Sequence, residues 1–159
     1  MAELTPLDVK LGEVLGLAQA AQEATREVAR LAEHDDSVRR LETMHREEAE
    51  TERRTLALLD RVAGKRSEIQ ARGDEARIGV KEMMRLYLSE DSGELDGFEF
   101  LTMAEAGELG HWEIVREMSE RTGDSAALEL AEWAITIQER HKIFVRECSL
   151  ELAAEVADS

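Results

Sequence analysis

Beyond position 6 this chain contains no proline, and from there to its end apolar side chains recur at spacings of three and four. A helix repeats every 3.6 residues and a strand every two, so this spacing favours long helices over sheet. The β-branched and aromatic residues that fill strands are sparse, with aromatics at only 4%. An all-α protein follows. With 159 residues, 43% of them apolar and 35% charged, the chain can bury a sizeable core and is composed like a globular protein. We expect a single domain over residues 1–159.

Local signals divide the chain into helices. Thr5-Pro6-Leu7-Asp8 reads as a helix start, with Thr5 as the cap, Pro6 in the first position and Asp8 in the first turn. The helix runs to about Leu31 and carries an inner stripe of Leu7, Leu11, Val14, Ala18, Ala21, Thr25 and Val28. Glu33-His34-Asp35-Asp36 interrupts the pattern, and Asp35 or Asp36 can cap a second helix over 37–63. Its stripe reads Val38, Leu41, His45, Glu48, Glu52, Leu56, Leu59 and Val62, before a stop at Gly64.

Residues 66–88 form a weaker helix because Gly73 and Gly79 lie inside it, with Ile69, Ala76, Val80, Met83 and Tyr87 on one face. An acidic loop over 89–97 follows, and Asp96 with Glu99 makes a capping-box-like start for a helix over 98–119. That helix has Phe98, Leu101, Glu105, Glu108, Trp112 and Val115 on its stripe and His111 at the edge. Thr122-Gly123-Asp124 ends it and caps a last helix over 125–156, with Ala127, Ala131, Ala134, Gln138, His141, Val145, Cys148 and Leu152 inward.

The net charge of −16 argues against nucleic-acid binding through a basic surface and could draw cations to the protein. No run of apolar residues is long enough to span a membrane. Residues 1–10 lack a basic region followed by an apolar run, so no signal peptide is expected. The lone cysteine, Cys148, excludes an internal disulfide and fits a reducing, cytoplasmic setting.

Three of the four histidines lie near the middles of different helices, each with an acid or amide three residues earlier: Glu42 with His45, Glu108 with His111, and Gln138 with His141. Residues at i and i+3 share a helix face, so each pair can present an oxygen and an imidazole nitrogen together. Such pairs, facing one another inside a bundle, build carboxylate-bridged di-metal sites.

The expected topology aligns these groups. The first and second helices join through a short turn, as do the last two, giving two antiparallel hairpins. The helix over 66–88, roughly 34 Å long at 1.5 Å per residue, returns the chain along the bundle. His45 then lies roughly 14 Å into its helix, near the level of Glu105 and Glu108, of Gln138 and His141, and of Gln22, Glu23 and Glu27 on the first helix. A plain core would carry leucine there, since buried unpaired charge is costly.

In this arrangement the chain resembles the ferritin-like superfamily. The resemblance implies a four-helix bundle of two antiparallel hairpins with an additional crossover helix. It also implies a di-iron or di-manganese site drawn from Glu23 (or Glu27), Glu42 with His45, Glu105 or Glu108, and Gln138 with His141, where Gln138 stands in place of the usual Glu. A closer likeness is to the small stress-associated bacterial branch of YciF type, through Gly110-His111-Trp112-Glu113-Ile114, Gly123-Asp124, Ala126-Ala127, and His45 with Glu48. That alignment would make His111 and Glu113 the ligands on their helix.

The leading expectation is thus a ferritin-like metal-binding protein, with a role in iron or oxidative-stress handling implied by the resemblance, assembled as a homodimer or higher homo-oligomer. Carboxylate and imidazole ligands suit iron or manganese, and there is no cysteine cluster for structural zinc or iron–sulfur. The alternative is a metal-free helical bundle that serves as a protein–protein interaction or structural module, its buried polar groups fixing register.

Overall fold

The computed structural model describes residues 3–62 and 64–159, and all regular structure among them is helical: α1 Pro6–Leu31, α2 Asp35–Leu59, α3 Arg66–Tyr87, α4 Glu94–Thr122 and α5 Ser125–Asp158. None of these helices is long and apolar enough to cross a membrane. The expected end of the second helix, Ala63, lies outside the described residues.

The helix ends follow local chemistry. Thr5 Oγ1 accepts the Asp8 amide and Asp8 Oδ2 accepts the Thr5 amide, a reciprocal capping box. Asp124 Oδ1 accepts the Ala127 amide at 3.0 Å, just after Gly123 has turned the chain with φ 72°. Two starts differ from expectation. Helix α2 takes Asp35 and Asp36 into its first turn, with His34 at the N-cap, so the acids face the positive end of the helix dipole instead of capping it. Helix α4 begins at Glu94, about one turn early, because Asp96 Oδ2 reaches back to the Gly93 amide at 2.7 Å.

Helices α1, α2, α5 and α4 surround a common interior. Gln19 and Gln22 of α1 bond to Glu52 of α2, while the Gln22 carbonyl meets His45, so α1 and α2 run antiparallel. Helix α3 then runs alongside α1 in the same direction, pinned by Lys65 to Asp8 at one end and Arg77 to Glu23 further on. It delivers α4 to the end of the bundle where α2 began: Gly97 packs against Val28 and Leu31, and Glu94 meets His34.

The apolar face expected on helix α3 is left largely outside the core. Only Ile69 and Gly73 are buried, while Met83 and Tyr87 are 45% and 53% exposed. It docks on the outside of α1 through glycines rather than through an apolar stripe. A Cβ on Gly16 would lie 2.1 Å from the Gly73 carbonyl oxygen, and one on Gly12 would lie 2.6 Å from that of Ile69. Gly73, which reads as a weak point in the sequence, is thus what lets two backbones touch.

The α1, α4 and α5 stripes are buried as expected apart from the half-buried Cys148, but α2 is rotated. It buries Leu41, Met44, Glu48, Thr51, Thr55 and Leu59, leaving His45, Glu52 and Leu56 at the flank. Thr51 and Thr55 satisfy their hydroxyls on the carbonyls of Glu47 and Thr51, one turn back, which makes them acceptable core residues.

Candidate metal centre

The apolar interior is split in two. One cluster gathers Leu11, Leu15, Leu59, Ile69, Trp112 and Ala131 near one end, and a second gathers Val28, Leu41, Met44, Phe98, Leu101 and Val145 near the other. At the levels between them, three helices contribute buried polar side chains: Glu48 from α2, Glu105 and Glu108 from α4, and Gln138 and His141 from α5. None is more than 3% exposed. Helical phase places them there: Glu105 and Glu108, and Gln138 and His141, are i, i+3 pairs in the middle of otherwise apolar stripes.

The contacts are close. Gln138 donates from Nε2 to Glu48 Oε1 at 2.6 Å. His141 Nδ1 lies 3.3 Å from Glu48 Oε1 and 3.4 Å from Glu105 Oε2, within ion-pair range though not aligned as hydrogen bonds. Its other nitrogen, Nε2, is 3.2 Å from Glu47 Oε1, and Glu47 in turn pairs with Arg140 at the surface. One ligand atom from each of Glu48, Glu105 and His141 falls within 4.8 Å of the others.

The electrostatics record the strain of this packing. Burial raises the Glu105 carboxyl, and the Glu48 charge raises it further, against the opposing pull of His141. Glu108 is pushed well above the ordinary carboxylate range by burial, and by the neighbouring Glu48 and Glu105 carboxylates. Burial alone would lower His141, but its contacts with Glu105 and Glu48 overcome that and lift it to about 10. At neutral pH, His141 therefore carries a proton and partly neutralises the acids around it.

Several buried atoms still lack a hydrogen-bond partner: Glu48 Oε2, Glu105 Oε2, Glu108 Oε1, Gln138 Oε1 and His141 Nδ1. Each such group costs about 1–3 kcal/mol when left unsatisfied. A cation would take up the oxygen lone pairs and, with His141 deprotonated, the Nδ1 lone pair as well. The donor set of carboxylates, an amide and one imidazole suits hard or borderline ions. The Glu47 contact to Nε2 would hold the imidazole with Nδ1 inward, as a carboxylate commonly does for a ligating histidine.

The remaining residues expected at the site lie elsewhere. His45 is turned to the α1–α2 seam, its Nδ1 2.9 Å from the Gln22 carbonyl oxygen and its Nε2 3.4 Å from Arg26. The rotation of α2 accounts for this: Glu48, one turn later, takes the inward place. Glu42 is exposed on the same helix. Glu23 faces α3 and accepts two bonds from Arg77, while Glu27 pairs with Arg30. His111 is half-buried, bonded to its own helix at the Gly107 carbonyl, and Glu113 is exposed. No α1 carboxylate joins the cluster, because on this side α1 presents alanines and Thr25.

Glu47 is the contact that reasoning from spacing missed. Its only signal is the consecutive Glu47-Glu48 pair at the centre of an inward stripe, where one acid faces in and its neighbour can reach the same histidine from the flank. No protein-family model, no curated protein and no solved structure matches this chain.

Proposed function

We propose that this protein is a ferritin-like metal-binding bundle whose Glu48, Glu105 and His141 hold iron or manganese. The observation that carries the reading is the convergence of their ligand atoms within 4.8 Å, in a buried layer that leaves carboxylate and amide oxygens unpaired. The Glu48 charge acts on both Glu105 and Glu108, so Glu48 would be the acid shared between ions if the centre took two. If the centre took a second ion, as in a di-iron or di-manganese pair, the unpartnered oxygens of Glu108 and Gln138 would be its available donors.

Bound iron or manganese would supply Lewis-acid and one-electron chemistry inside the bundle. The chain's own part is to hold the ligands, orient His141 through Glu47, and exclude bulk water with the apolar clusters above and below.

The test is metal content after loading with ferrous iron or manganese under argon and desalting. Wild-type protein should retain one to two ions per chain. Glu48→Gln and His141→Ala should each lose them, whereas His45→Ala and Glu42→Ala should not. No retention by folded wild-type protein would overturn the proposal and favour a metal-free interaction module.

A further inference from the structure

A cavity of about 230 Å³ lies between α1, α3 and α4, on the solvent side of Glu105 and Glu108. Its walls include Leu17, Ala24, Val80, Phe100 and Ala104, and its lining is overwhelmingly apolar. Met83 and Met103, both substantially exposed, stand at the mouth. The deep side reaches Glu105 and Glu108, both almost fully buried, and the Glu108 Oε1 and Glu105 Oε2 atoms have no hydrogen-bond partner. The space exists because the facing side chains are small, with Ala21 and Ala24 on α1 and Ala104 and Gly107 on α4, and because α3 is held to α1 by its glycines rather than drawn onto α4.

We propose that this cavity is the chamber through which a small, uncharged, mainly apolar molecule with one hydroxyl end reaches the carboxylate cluster. The proposal deepens the metal-binding reading, since it names the kind of molecule admitted to the same centre. Size, polarity and charge each argue for that class. An apolar cavity of roughly 150 Å³ accommodates benzene, so this one holds about nine non-hydrogen atoms. Apart from the half-buried His111 imidazole, whose Nδ1 is bonded to the Gly107 carbonyl, the walls offer nothing to a polar body, because unpaired polar groups are costly away from water. An anion would have to shed its hydration in that apolar space, and the chain's net charge of −16 adds to the cost. A hydroxyl is the polar group that suits the two acids at the deep end, because it can both donate to and accept from a carboxyl group.

The experiment uses 1-octanol and octanoate as probes, with [¹³C-methyl]methionine-labelled, metal-free protein followed by NMR. We expect 1-octanol to bind at one per chain, to shift the Met83 and Met103 methyl signals, and to bind at least tenfold more tightly than octanoate. Ala104→Phe should weaken it at least tenfold while leaving manganese retention and helical content unchanged. Met103→Trp, a change at the exposed mouth that leaves the core intact, should slow association at least fivefold, so the proposal stays testable if the first variant misfolds. Absence of octanol binding, shifts that bypass both methionines, equal affinity for octanoate, or unchanged binding in both variants would each overturn the proposal. Octanol bound at the methionines in a protein that retains no manganese would sustain the chamber while refuting the metal centre.

Discussion

The Gln138 amide donates to the Glu48 carboxylate at 2.6 Å, joining α5 to α2 in the middle of the buried layer. Both side chains are completely buried, so this bond replaces water for one of the three acids packed there. A glutamate at 138 would remove the only donor that reaches Glu48 from that side and add a fourth acid. Gln138→Glu should destabilise the metal-free protein by about 1.5–3 kcal/mol, the usual worth of a hydrogen bond to a charged group. Manganese should raise the melting temperature of the variant more than that of wild type. Equal shifts on calorimetric melting would show that Gln138 lies outside the coordination shell.

Metal loading should release protons. His141 is protonated up to about pH 10, and Glu105 and Glu108 are raised, so an ion must displace protons to bind. Titration calorimetry at neutral pH, in two buffers of different ionisation heat, should give apparent enthalpies that differ in proportion to those heats. Identical enthalpies would mean that the cluster binds without titrating.

The same groups set the pH dependence of the metal-free protein. A histidine raised in the folded state contributes stability that is complete below its ordinary value of 6.5 and is lost as pH rises through about 10. The raised carboxyls act in the same direction, since folding favours their protonated forms. Melting temperature should fall as pH rises from neutral toward about 10, and His141→Gln should flatten that fall. A wild-type curve that climbs over this range would contradict the assignment.

His34 forms a smaller switch at the end of the bundle. Its Nδ1 lies 2.8 Å from Glu94 and its Nε2 3.5 Å from Glu155, linking the α1–α2 turn to the start of α4 and the end of α5. The Glu94 hydrogen bond and charge, with help from Glu155, raise its pKa above 6.5. The link is therefore intact below that value and is lost as pH rises through the raised one. NMR titration should show Glu94→Gln returning His34 toward 6.5, and an unmoved titration would remove Glu94 as the cause.

Two glycines on neighbouring helices should respond in opposite ways. Gly16→Ala places a methyl 2.1 Å from the Gly73 carbonyl oxygen, so α3 must shift, at a cost of about 1–3 kcal/mol. Gly79→Ala meets nothing within 4 Å and restores helix propensity, a gain of roughly 0.5–1 kcal/mol. Denaturant melts of the two variants should move in opposite directions, and hydrogen exchange in α3 should rise only for the first.

Much of the candidate site was legible because helical period alone determines which residues share a face. Glu105 and Glu108 on α4, and Gln138 and His141 on α5, stand in strict register with Phe98, Leu101, Trp112, Ala131 and Val145, so their inward direction follows from the stripe they interrupt. On α2 the same reasoning faltered. Threonines at 51 and 55 look like surface residues, yet they satisfy themselves on their own helix and go inside. Leu56 and His45 look like core residues and settle at the flank, so the phase slipped by about one position.

The sequence by itself determined that the chain is helical, where helices α1 to α5 lie to within a turn or so, and that polar groups interrupt the apolar stripes of α4 and α5. Those are consequences of local spacing, capping groups and backbone freedom. Only the tertiary structure decided that Glu48 rather than His45 faces His141, that Glu47 braces the imidazole, and that α3 lies against α1 through Gly12, Gly16 and Gly73. Each depends on how far a helix rotates and how closely two backbones approach. Rotation and approach are set by the balance of packing among all the helices at once, which no single segment encodes.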